Sequence, residues 1–125
     1  MDENKIFGEI ADYVYHENGI LYSYSKSVLR NVENIGNNVK LVKKITGNKK
    51  VPLLIFLTNS PVPSKETREF SAQKLPEIYT AMAMVSKPGL AQFIMKLLFA
   101  LKPSPIPMKS FSNQKDAENW LKQFC

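Results

Sequence analysis

The sequence predicts an α/β fold with the element order β-β-α-β-α-β-α-β-α. This order implies a mixed sheet of about five strands, opened by an N-terminal hairpin and flanked by helices. Three observations carry the prediction. Two alternating β-rich runs, Ile10–Glu17 and Ile20–Ser25, flank Asn18-Gly19, the strongest short-range hairpin signal in the chain. Val32, Ile35, Val39, Val42 and Ile45 recur at spacings of three and four, one apolar helical stripe. The run Leu53–Leu57 is continuously apolar, as a central strand covered on both faces must be.

Each element has a local cause. The Asn18-Gly19 pair predicts a type I′ turn. On the second strand Leu21 and Ser23 share one face, while Ile20, Tyr22 and Tyr24 share the other. Asn31 is a suitable N-cap for the first helix, and Glu33 places a negative charge in its first turn. Gly47 supplies a left-handed stop. Thr58–Pro63 reads as a loop, and Ser64 caps a short second helix with Thr67 at its third position. Leu75, Ile78 and Tyr79 are expected in a connection interrupted by Pro76.

Ala81–Val85 is a second buried strand of small and apolar residues, and Ser86–Gly89 is a turn. Leu90–Leu101 is an apolar helix, ended by Lys102-Pro103. Met108–Phe111 is a short last strand near an edge of the sheet. Ser112 or Asn113 caps the final helix, whose inward stripe is Ala117, Trp120, Leu121 and Phe124.

Composition removes several kinds of chemistry. The 125 residues suit one domain, spanning residues 1–125. The lone cysteine, Cys125, rules out an intramolecular disulfide, and the lone histidine, His16, rules out a multi-histidine metal site. Gly8, Gly19, Gly36, Gly47 and Gly89 are too widely separated to build a phosphate-binding loop. His16 and Glu17 are adjacent on a strand and face opposite ways, so they form no dyad. Asp116 and Glu118 fall on different helix faces. No catalytic constellation emerges, no cofactor is called for, and the chain reads as a non-enzyme.

Seventeen Lys and Arg against eleven Asp and Glu give a net charge of +6. Lys40, Lys43, Lys44, Lys49 and Lys50 crowd together, but no arginines or aromatics interleave with them. The cluster reads as a solvated helix face ending in a basic turn, and nucleic acid is not an expected partner. The first thirteen residues lack a basic segment followed by an apolar run, and no apolar stretch of about 18 residues occurs. A cytoplasmic location is therefore expected.

Gly19-Ile20-Leu21, Thr46-Gly47, Pro52–Ile55, Thr67-Arg68, Ala81–Val85 and Pro107–Phe111 follow one another in an order that carries a family likeness. With Ala117, Trp120 and Leu121, they resemble a small bacterial STAS-like domain family of unknown function, found among Bacteroidetes proteins. The likeness runs from about residue 10 to 124. It implies the fold of anti-sigma-factor antagonists. In those proteins a loop after a central strand carries a phosphorylated serine, usually in an Asp-x-Ser-Gly context. Here that loop is Thr58–Ser64, which has hydroxyls at Ser60 and Ser64 but lacks the pattern. Read from the residues alone, Ser64 is a plain N-cap.

The resemblance and the residues together predict a non-catalytic interaction or regulatory domain. Its working surfaces would be a regulatory loop (Thr58, Asn59, Ser60 and Ser64, with Lys65 and Arg68 behind it) and an interaction helix carrying Phe93, Met95, Leu97 and Phe99. That helix is apolar almost all round, which predicts self-association as a homodimer or contact with another protein. A basic, apolar helix also suits peripheral contact with a membrane surface, a weaker expectation. The alternative is a carrier of a small apolar ligand or lipid. CRAL-TRIO lipid-transfer proteins, fold relatives of some STAS-like domains, hold such a ligand under a mobile helix. A pocket lined by Phe93, Leu97 and Met84 would favour that reading.

Overall fold

The computed structural model describes residues 5–87, 89, 90, 93 and 105–125. The strands are β1 (Ile6–Phe7), β2 (Ala11–Tyr15), β3 (Leu21–Ser25), β4 (Val51–Phe56), β5 (Tyr79–Val85) and β6 (Met108–Phe111). The helices are α1 (Val32–Thr46), α2 (Lys65–Ile78) and α3 (Gln114–Leu121), with a 3-10 turn over Lys122–Phe124. The strands lie side by side in chain order. β1, β2 and β3 pair antiparallel, while β3, β4, β5 and β6 pair parallel. The mixed sheet expected from the sequence is present, with six strands rather than five. The addition is β1, two residues long and too short to leave a periodic signal.

Strand alternation sorts the core onto two faces. Tyr13, Leu21, Leu53, Met82 and Met84 pack with Val39 and Val42 of α1 and with Leu75 and Ile78 of α2. Val14, Ile20, Tyr22, Leu54, Ala81 and Ala83 pack with Ala117 and Leu121 of α3. β4 is thus covered on both sides, which explains its unbroken apolar run. The helix boundaries follow the expected caps. Asn31 Oδ1 accepts from the Asn34 N–H at 2.8 Å, and Asn34 Oδ1 returns the bond to the Asn31 N–H at 2.8 Å. Gly47 closes α1 at φ 65°, in the left-handed region. Ser64 caps α2, and Asn113 caps α3.

Three expectations are corrected. The hairpin turn is not type I′, because of its two central residues only Gly19 has positive φ, at 87°. The loop is instead Glu17–Gly19, closed by the Gly19 N–H to His16 O at 3.1 Å and the His16 N–H to Ile20 O at 3.2 Å. Asn18 contributes through its side chain, whose Oδ1 accepts from the Ile20 N–H at 3.0 Å.

Pro76 does not interrupt a connection but lies inside α2, which continues to Ile78. It falls in the last turn, where it removes a single helical hydrogen bond, and the Tyr79 N–H closes that turn onto Leu75 O. β5 begins at Tyr79, earlier than the expected Ala81, with a bulge. Val51 pairs with Tyr79 and Pro52 with Ala81, leaving Thr80 as the extra residue. The bulge lets Tyr79 and Met82, three apart, join the same core face. Leu90 and Phe93 are helical, and most of the helix expected over 90–101 lies outside the described residues.

Candidate ligand cavity

The inward face of α2 explains a space beneath it. Thr67, Ser71, Leu75 and Ile78 recur at helical spacing. Leu75 and Ile78 fill the core, but Thr67 and Ser71 are small and leave the first half of the helix without an apolar side chain to lower onto the sheet. The result is a cavity of about 270 Å³ between the sheet, α1, α2 and the loop that follows β4. This sits near the lower end of the roughly 300–1,000 Å³ usual for small-molecule sites. Val39, Leu53, Leu75, Met82 and Met84 line its buried part. The mouth is formed by exposed residues, Asn59 and Pro61 among them, with Val62 53% and Phe93 55% exposed. It opens beyond the carboxyl ends of the parallel strands, the usual place for ligands in open α/β sheets.

A polar seam runs along one wall. Tyr13 donates to Asn38 Oδ1 at 2.9 Å. Burial raises the Tyr13 hydroxyl above its ordinary pKa and raises Tyr79 further, with the neighbouring Tyr13 adding to the effect. Both hydroxyls therefore stay protonated at neutral pH. Arg30 is clamped by the fold. One of its terminal nitrogens donates to Lys26 O at 2.7 Å and Val28 O at 2.8 Å. The other donates to Ile10 O at 3.0 Å and Ser25 Oγ at 2.8 Å. Burial pulls its pKa down from the ordinary arginine value, yet an arginine keeps its charge in a protein. At the mouth, Leu57 is tied to Val85 O at 3.0 Å, and Arg68 Nη1 donates to Pro63 O at 2.8 Å.

His16 and Cys125 lie elsewhere, beyond the Leu21 end of β3 rather than the Ser25 end that meets Arg30. The His16 ring sits 4.0 Å from that of Tyr22, and the Cys125 thiol donates to Asn18 O at 3.4 Å. Among the described residues, no three of His, Cys, Asp and Glu converge in a way that could hold a metal ion. No helix among them is long and apolar enough to cross a membrane.

The model of a family described as a domain of unknown function, DUF7793, matches residues 14–125. The chain belongs to the DUF7793 family. A solved structure similar to it is that of an uncharacterized protein of the DUF3478 family from Shewanella loihica PV-4, described as having a SpoIIAA-like fold. The two are 16% identical, align over 91% of this chain and 94% of the other, and superpose with a TM-score of 0.62. That likeness shows the fold, and it bears out the STAS-like architecture expected from the sequence. No curated protein matches the chain.

The DUF7793 domain divides the expected site residues. Thr58, Asn59, Ser60 and Arg68 line the cavity together, and so do Phe93 and Met84. Ser64 is spent on its cap, accepting from the Thr67 N–H at 3.2 Å and sharing a hydrogen bond with Thr67 Oγ1 at 2.9 Å. Lys65 is exposed and turned to a shallow depression beside Glu66 and Glu69, outside the cavity. Met95, Leu97 and Phe99 lie outside the described residues. Tyr13, Arg30, Asn38 and Ser71 also line the cavity, beyond the residues expected from the sequence. The signal for Ser71 was available, since a serine in line with Leu75 and Ile78 marks a gap in an apolar stripe.

Proposed function

We propose that this DUF7793 domain is a cytoplasmic binding module that holds a small, largely apolar molecule in its cavity without doing covalent chemistry on it. The observation that carries the reading is a space of about 270 Å³ walled by core side chains such as Leu53, Met82 and Met84 and open at the strand ends. An apolar space of this size in a domain this small is costly when empty, because its lining forgoes packing contacts. A bound ligand restores them. The lining also supports a non-catalytic role. Tyr13 and Arg30 are committed to internal hydrogen bonds, and neither a carboxylate nor an imidazole belongs to the lining among the described residues.

The test is a titration with decan-1-ol, followed by NMR of the methionine methyl groups. Met82 and Met84, which line the cavity, are expected to shift in a saturable way. Shifts that do not saturate, or none with this alcohol and none with the matching carboxylate, would remove the reading.

A second reading, a contact domain that forms a homodimer through the helix beginning at Leu90, draws support from Phe93, which is 55% exposed. Its consequence is a dimer in solution that Phe93→Asp dissociates. A monomer at working concentration would leave the cavity as the functional feature.

A further inference from the structure

We infer that the ligand of this cavity carries an anionic head, a carboxylate on an apolar tail, and that Arg68 receives it at the mouth. The inference rests on the binding-module reading and adds the ligand's chemical class.

Among the described residues the cavity is lined by three cations, Arg30, Arg68 and Lys74, and by no Asp or Glu. Lys74 is balanced by Glu77, at 3.2 Å. Arg30 is satisfied in hydrogen bonding by three carbonyl oxygens and one hydroxyl, and among the described residues no carboxylate forms an ion pair with it. A guanidinium so placed projects positive potential into a space of low dielectric, where it is little screened. An apolar molecule with a neutral end leaves that potential unanswered. An anion answers it.

Hydrogen bonding then selects the receiving residue. Arg30 has both terminal nitrogens occupied. Arg68 gives one nitrogen to Pro63 O, and among the described residues its other donors have no partner. The side chains of Thr58, Asn59, Ser60 and Ser71 also line the cavity without a hydrogen bond to any described residue. One guanidinium with free donors, surrounded by uncommitted hydroxyl and amide groups, is the chemistry that recognises a carboxylate. The tail then lies along the apolar wall formed by Val39, Leu53, Met82 and Met84.

Isothermal titration of the intact chain with decanoate and with decan-1-ol, both below their aggregation limits, tests this. Decanoate is expected to bind at least about tenfold more tightly, the difference a charge-assisted hydrogen bond makes. Arg68→Gln is expected to bring decanoate down to the affinity of decan-1-ol, and Arg68→Lys to retain most of the preference. Unchanged decan-1-ol affinity in Arg68→Gln would show that the mouth remains intact without the bond to Pro63. Equal affinities in the wild-type protein would overturn the anionic head while leaving the cavity reading in place. A preference that survives Arg68→Gln would overturn the assignment to Arg68. Failure of both compounds to bind would remove the binding-module reading itself.

Discussion

Tyr22 shows how much one side chain can settle. It is 3% exposed, its hydroxyl donates to Glu118 Oε2, and it accepts from the Asn18 amide at 3.4 Å. Burial, then the acceptor carboxylate, push its pKa up to about 12, while the same bond holds Glu118 below the usual carboxylate value. The two signs differ. A hydroxyl with a raised folded pKa contributes stability that is complete below pH 10 and is lost as pH rises through about 12. A carboxylate with a depressed folded pKa contributes stability that is lost as pH falls through that value. The thermal midpoint is therefore expected to hold up to about pH 10 and then fall. In Tyr22→Phe the neutral-pH protein should lose about 1 kcal/mol, and the alkaline fall should be shallower. Calorimetry across that range checks both. A fall as steep as in wild type would show that Tyr22 does not set the alkaline limit.

At the scale of elements, caps fix where helices begin. Asn31→Ala removes one half of the reciprocal bond with Asn34 and should cost about 1 kcal/mol in denaturant unfolding. Gly8 has a steric role. A Cβ there would lie 2.5 Å from Ala11 O and 2.9 Å from Leu41 Cδ2, so Gly8→Ala must displace backbone. Amide exchange in β1 and β2 is expected to quicken in that variant, and protection equal to wild type would contradict the clash. The caps were legible in the sequence because each depends on one residue type at one position. The bulge at Thr80 and the continuation of α2 through Pro76 were not. Both depend on pairing with β4 and burial of Leu75 and Ile78, which no local pattern reports. Asn18-Gly19 announced a hairpin correctly, but the pair does not distinguish a two-residue loop from the three-residue loop that forms.

Across the whole molecule, fold and cavity follow from the same stacking. Strands laid side by side in chain order accompany α1 and α2 on one shared face, and a stripe that changes from apolar to small at Ser71 leaves them unable to close over the sheet. The fold was legible because alternation and helical spacing encode it. The cavity was legible only in part: Thr58, Asn59, Ser60, Arg68 and Phe93 carry a signal in the sequence, whereas Tyr13 of β2, Arg30 between β3 and α1, and Asn38 of α1 come together only in the folded chain. Ser71→Leu completes the stripe. It should raise the stability of the ligand-free protein by about 1 kcal/mol, as cavity filling commonly does, and lower decan-1-ol affinity at least about tenfold. Reduced stability with undiminished binding would place the ligand elsewhere. The most direct measurement is native mass spectrometry of the protein purified from its own host, before and after extraction with organic solvent. The expected result is a chain that carries a reproducible added mass, removed by the solvent. A spectrum showing only the bare chain, as monomer or dimer, would contradict a resident ligand in the cavity.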